Sequence, residues 1–156
     1  MKNFFKFSGL IVLIFAVVVL SGCETQKYTP DPYADSIRPT ITGTWKLVGM
    51  KEKPVEYIVS NKITFIIPED PPHSINGSTG INLYNGTAWI QSEDFECGAI
   101  AVTKIAGTQE EEKNESDYLR LLKACNKIKC GKDGTQSVLF IYNKEKSIEL
   151  NFIKLD

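Results

Sequence analysis

The sequence predicts an α+β domain, mainly antiparallel β, in which about eight or nine strands form a lipocalin-like sheet or barrel carrying one α-helix near residues 109–125. Three observations predict it. Short runs of β-branched and aromatic residues recur from Thr44 to Ile153, each bounded by Gly, Pro or Asn. Asn-Gly pairs at 76–77 and 85–86 read as hairpin turns, which join antiparallel neighbours. Only the stretch from Thr108 to Cys125 carries apolar residues at helical spacing.

The elements follow in order behind a leader. Lys2 and Lys6 precede the apolar run Leu10–Leu20, and Leu20-Ser21-Gly22-Cys23 closes it with two small residues before a cysteine. Basic start, apolar middle and small-residue exit are the parts of a secretory signal, and the run is short for a bilayer span of about 20 residues. Residues 1–22 are therefore read as a signal peptide. The Leu-Ser-Gly-Cys stretch looks like a bacterial lipobox, which implies diacylglycerol on the Cys23 sulfur and cleavage just before it. Two or more acyl chains anchor a protein stably where one does not. Residues 23–40, polar and holding Pro30, Pro32 and Pro39, form an extended linker, and residues 41–156 form one domain.

Within that domain Thr44–Val48 is the first strand, with Trp45 and Leu47 on one face. Val55–Val59 and Lys62–Ile67 follow, and prolines make 68–72 a loop. The strands Gly80–Tyr84 and Thr87–Gln91 alternate with the two Asn-Gly turns; Phe95–Cys97 and Ala99–Lys104 are extended as well. Thr108 and Glu111 make a capping box, and Glu110–Glu112 suit the positive end of a helix. Tyr118, Leu121, Leu122 and Cys125 fall at i, i+3, i+4 and i+7, one stripe facing a core. Lys127–Cys130, a turn at 131–134, Ser137–Tyr142 and Ser147–Ile153 complete the chain.

Charge and chemistry narrow the function. Cleavage removes two of the 18 basic side chains and none of the 19 acids, leaving a formal net charge of −3. That balance, with no basic cluster interleaved with aromatics, argues against nucleic acid as a partner. His73 is the one histidine and sits in a proline-rich loop, a poor seat for a general base. No Cys-x-x-Cys, histidine pair or calcium loop occurs, so neither a metal nor any other cofactor is expected. No phosphate loop or nucleotide fingerprint is present, and no catalytic residue is assigned. With Cys23 acylated, Cys97, Cys125 and Cys130 remain, an odd number in an oxidising compartment. Cys97, at strand spacing from Phe95, reads as a small buried residue. Cys125 and Cys130, five apart across a helix end, are the candidate disulfide, provided the fold brings their Cα atoms within about 4.4–6.8 Å.

The middle of the chain resembles the META domain, or HslJ-like, family over roughly residues 42–153. Four pieces carry the resemblance: Gly43-Thr-Trp45-x-Leu47-Val48; Gly77-Ser-Thr-Gly80-Ile-Asn82-Leu-Tyr84-Asn-Gly86; Ile100-Ala-Val-Thr103-Lys104-Ile-Ala106; and the helical Tyr118-Leu119-x-x-Leu122 before a closing hairpin. Ile81 and Gly107 stand where members of that family commonly have cysteines. A disulfide of the family's own kind is thereby lost, leaving Cys125–Cys130 as a local substitute. The resemblance implies a compact META-type sheet or barrel in an envelope lipoprotein, with no established enzymatic activity or ligand. Its motif residues, Trp45, Gly77, Gly80, Asn82, Tyr84, Gly86 and Thr103, are then structural.

The resulting expectation is a non-enzymatic, monomeric envelope lipoprotein with an interaction or stress-related role. Cys23 holds it to a membrane, the outer in preference to the inner, and its partner is an unspecified protein or small molecule. A lipocalin-like cup for a small apolar ligand is the alternative, with Trp89 and Phe140 among its lining. A hydrolase inhibitor presenting the loop at 68–74 is the third reading.

Overall fold

The computed structural model describes residues 40–70 and 73–155. The leader, Cys23 and most of the linker lie outside them. Nine strands follow one another: β1 (Gly43–Glu52), β2 (Val55–Glu56), β3 (Ile63–Ile67), β4 (Ser74–Thr79), β5 (Leu83–Gln91), β6 (Asp94–Val102), β7 (Lys127–Asp133), β8 (Gln136–Asn143) and β9 (Ile148–Leu155). One helix, α1 (Gln109–Ala124), stands between β6 and β7. All pairings are antiparallel, in the order β2-β1-β3-β4-β5-β6-β7-β8-β9. β1 also pairs with β9 from Thr44↔Leu155 to Glu52↔Ile148, so the sheet returns on itself as a ring. Among the described residues the fold is thus mostly antiparallel β with one long helix, in the predicted class.

The ring has a thin seam. β6 and β7 meet at Asp94↔Lys127, supported by Phe95 N donating to Asn126 O at 3.1 Å and Ile128 N donating to Glu93 O at 2.9 Å. The helix that separates these strands in the chain packs against β4, β6 and β9. It places Tyr118, Leu121 and Leu122 in the core, and Cys125 follows as the residue ending the helix. Thr108 Oγ1 accepts from Glu111 N at 3.3 Å while Glu111 Oε2 accepts from Thr108 N at 3.0 Å, so the capping box holds the first turn.

Side chains fill the ring. Period-2 alternation sends Ile63, Phe65 and Ile67 inward from β3, and Ile148, Leu150 and Phe152 inward from β9. On β1 the buried set is Trp45, Leu47 and Met50; a register shift between Leu47 and Gly49 resets the alternation. Phe65 lies at the centre, 5.6 Å from the Phe152 ring and 6.5 Å from the Phe95 ring.

Several boundaries move. Neither Asn-Gly pair forms a turn: Asn76-Gly77 lies inside β4 and Asn85-Gly86 inside β5, paired as Asn76↔Asn85 and Gly77↔Tyr84. The turn between them falls at Gly80–Asn82. Both glycines sit in strands because a side chain would collide with a neighbour. A Cβ on Gly86 would lie 2.6 Å from Ala99 O, beside the irregularity where β5 and β6 change register. The extended stretches around Gly98 form one strand, β6, and β7 runs through Gly131 to Asp133. Of Val55–Val59 only Val55–Glu56 pairs as a strand.

The candidate disulfide is corrected too. Cys97, Cys125 and Cys130 are all free thiols. Cys125 has an extended backbone (φ −73°, ψ 149°), and the chain continues into β7, so Cys130 is carried about 16 Å away at about 3.3 Å per residue, beyond disulfide reach. Cys130 Sγ instead lies 3.6 Å from Thr40 O.

Candidate functional site

The motif residues converge where the β4–β5 turn, the segment after β6 and the first half of α1 meet. Asn82 is buried there, and each of its side-chain groups has a partner. Its Oδ1 accepts from Ile105 N at 2.7 Å and from Thr103 Oγ1 at 2.8 Å. Its Nδ2 donates to Ile105 O at 3.2 Å and to Glu115 Oε2 at 3.0 Å. Thr79 tightens the turn: its Oγ1 accepts from Asn82 N at 3.0 Å and hydrogen-bonds the Glu115 carboxylate. One asparagine thus ties three distant stretches together, an arrangement available to an amide because it both donates and accepts. Thr103 adds a bond by accepting from Leu83 N at 3.0 Å.

A second polar group lies deeper. Tyr84 Oη donates to Thr64 O at 2.9 Å and lies 2.9 Å from Tyr118 Oη. Because Tyr84 gives its proton to the carbonyl, Tyr118 donates to Tyr84. Burial pushes both phenols well above their ordinary pKa, and both stay protonated. Gly77 makes room for this pair. A Cβ on it would overlap Thr64 O and stand 2.8 Å from Tyr84 Oη.

Gly80 lies in the turn with φ +103°, where an L side chain is strained. Trp45 is buried beside the N-terminal end of the domain, its Nε1 donating to Ile41 O at 2.7 Å and its ring 5.6 Å from Lys154 Nζ. The fold therefore brings Gly77, Gly80, Asn82, Tyr84 and Thr103 into one neighbourhood and leaves Trp45 and Gly86 at other parts of the ring. Thr79 and Glu115 belong to the cluster but were missed by sequence reasoning. Glu115 sits in the polar run Glu110–Asp117, whose composition marks only a solvated helix start.

Adjoining this cluster, and sharing Gly77, Tyr84 and Thr103 with it, an apolar groove of about 490 Å³ runs over the outer face of β3–β6, lined also by Ile66, Leu83 and Ala101. Leu83 is 65% exposed at its rim. His73 is exposed, has φ +71° and faces the Trp89 ring at 5.9 Å. Trp89 is 43% exposed and so lines no interior cup. The loop at 68–74 is described except for residues 71 and 72. Among the described residues no group of three His, Cys, Asp or Glu side chains is placed to hold a metal ion.

The fold and cluster define a class: a small antiparallel ring of strands and one helix, joined by an asparagine whose every polar atom is used within the protein. Residues 39–154 match the META domain, and the chain belongs to that family. Two solved structures share the fold. The NMR structure of a protein from Burkholderia xenovorans aligns with a TM-score of 0.62 at 18% identity, over 85% of this chain and 96% of that one. The crystal structure of a DUF4847 family protein from Bacteroides vulgatus aligns with a TM-score of 0.53 at 13% identity, over 78% of this chain and 99% of that one. No curated protein matches the sequence.

Proposed function

We propose that the chain is a lipid-anchored protein of the bacterial envelope whose META domain works by interaction rather than catalysis, held by acylated Cys23 at the outer membrane. The observation that carries this reading is the leader ending Leu20-Ser21-Gly22-Cys23, followed by a proline-bearing linker and one domain. Within the domain, the motif's polar groups are spent on one another: Asn82 on Ile105, Thr103 and Glu115, and Tyr84 on Thr64 and Tyr118. Such groups support a fold and leave no free donor or base aimed at a substrate.

Fractionation tests the reading. The chain should sediment with membranes and leave them only in detergent, while the full chain with Cys23→Ser should lose the acyl anchor and appear uncut at residue 22. Equal processing and equal membrane retention of the two would contradict the tether.

A second reading, binding of a small apolar ligand, is favoured by the outer groove beside Leu83 and not by the packed interior. Leu83→Glu should abolish binding of a fluorescent apolar probe without lowering the melting temperature, since Leu83 is exposed. Undiminished probe binding would remove this reading.

A further inference from the structure

A polar groove of about 420 Å³ lies on the outer face of the other half of the ring, away from the motif and its apolar neighbour. Its cationic wall is assembled from three stretches of chain: Lys51 and Lys53 around the end of β1, Lys129 on β7 and Lys144 just after β8. Strand register explains the gathering. Lys51↔Glu149, Tyr142↔Glu149 and Lys127↔Tyr142 form one row across four strands, and Lys129 lies two residues beyond Lys127 on the same outward face of β7, opposite Phe140. Lys53 is brought close by its backbone N, which donates to Ser147 O at 3.1 Å. No cluster of this kind is visible along the sequence.

The charge does not balance within the groove. Glu149 is the one acid among the lining residues, and Lys51 Nζ already holds it at 2.7 Å. Lys53, Lys129 and Lys144 thus line the groove with no further lining carboxylate, in a chain whose formal net charge is −1. Lys144 Nζ stands 5.9 Å from the Tyr142 ring centre, which keeps its ammonium over the groove wall. Like charges gathered in a concave site repel one another and focus a positive potential outward, and a bound anion relieves that repulsion. Lysine ammonium groups are suited to phosphate oxygens as mobile point charges. A groove of this size exceeds what a bare ion needs and matches a small phosphate ester.

We propose that this groove binds a phosphate group, carried by an anionic phospholipid headgroup or by a soluble phosphate ester. Lys53, Lys129 and Lys144 contact the phosphate, and Tyr142 and Ser147 supply hydroxyls beside it. Binding weakens as salt rises, because the contacts are between exposed charges.

Lysine footprinting tests this on the full chain purified in neutral detergent. A water-soluble amine-acylating reagent is applied with no addition, with glycerol 3-phosphate, with phosphatidylglycerol in mixed micelles, and with phosphatidylcholine in mixed micelles. The modification at each lysine is read by mass spectrometry. Acylation of Lys53, Lys129 and Lys144 should fall at least about threefold with a phosphate ligand at about ten times its Kd or above, while Lys62 and Lys132 stay unchanged. Protection by phosphatidylglycerol but not by glycerol 3-phosphate assigns the headgroup; protection by glycerol 3-phosphate alone assigns a soluble ester; protection by both assigns the phosphate itself. Lys129→Gln combined with Lys144→Gln should remove the protection at Lys53. Equal modification in all four samples overturns the proposal, and so does protection spread evenly over every lysine. The readout is independent of the tether, because micelles present the chain whether or not Cys23 is acylated.

Discussion

Asn82 Nδ2 donates to Glu115 Oε2 at 3.0 Å, a bond that joins the β4–β5 turn to the helix across 33 residues of chain. Asn82 Oδ1 meanwhile holds Ile105 N at 2.7 Å, so the segment leading into the helix is fixed by the same side chain. The helix is seated on the ring by packing of Tyr118, Leu121 and Leu122, and its approach is set by this amide.

Asn82→Ala should therefore cost more than an ordinary surface change. It leaves the Ile105 N–H and the Thr103 hydroxyl without their shared acceptor and takes one donor from Glu115, which keeps Thr79 Oγ1, and each stranded group costs about 1–3 kcal/mol. The expected loss is about 3 kcal/mol, read as a lower midpoint in urea denaturation at unchanged slope. A loss below about 1 kcal/mol would mean that water replaces the amide without penalty.

Gly77 and Tyr84 should behave as one unit. Gly77→Ala forces a methyl against Thr64 O and Tyr84 Oη, at an expected cost of about 1–3 kcal/mol. Tyr84→Phe removes the hydroxyl that bridges Thr64 and Tyr118, costing about 1–2 kcal/mol. Since one crowding contact of the new methyl is with that hydroxyl, the double variant should be less destabilised than the sum by at least about 0.5 kcal/mol. Strict additivity in a urea double-mutant cycle would contradict the close approach.

Gly80 and Gly134 separate strain from crowding. Gly80 has φ +103° with Ser60 Oγ at 3.2 Å from a built Cβ, so Gly80→Val should lose more than about 1 kcal/mol. Gly134 has φ +58° with open space around it, and Gly134→Asn should cost only a few tenths of a kcal/mol. Equal melting temperatures for the two variants would refute the difference.

Alkali should unfold the domain in two stages. Burial raises the Cys97 thiol to about 11 and the Cys125 thiol to about 12, and it raises both buried phenols well above their usual value. Groups whose folded pKa is raised contribute fully below their unfolded pKa and lose that contribution as pH climbs toward the folded value. Stability should therefore decline from about pH 8.5 through the thiols and more steeply above about pH 10 through the tyrosines. Cys97→Ala with Cys125→Ala should flatten the first stage and leave the second. A melting temperature constant from pH 8 to 11 would contradict the burial of these groups.

Local rules made much of the fold legible. Trp45 and Leu47 alternate as a strand face, Thr108 and Glu111 spell a capping box, and Tyr118, Leu121 and Leu122 mark the helix stripe; the structure realises each. The Asn-Gly pairs misled because that dipeptide signals a turn only where the glycine is needed for backbone rotation. At Gly77 and Gly86 the glycine is needed for space against Thr64 and Ala99 in neighbouring strands. The β1–β9 closure and the lysine groove arise from register between distant strands, and Glu115 reaches the cluster through the packing of the helix on the ring. A reading that moves along the chain holds no signal for any of them.

The tether is the claim on which the functional account turns, and the mass of the native N-terminus tests it most directly. Mass spectrometry of the protein isolated from its own cells should show a chain starting at Cys23 and heavier than residues 23–156 by a diacylglycerol, with or without a further acyl group. A chain that retains Met1 or the leader, or one that begins near residue 23 with an unmodified thiol, would contradict it.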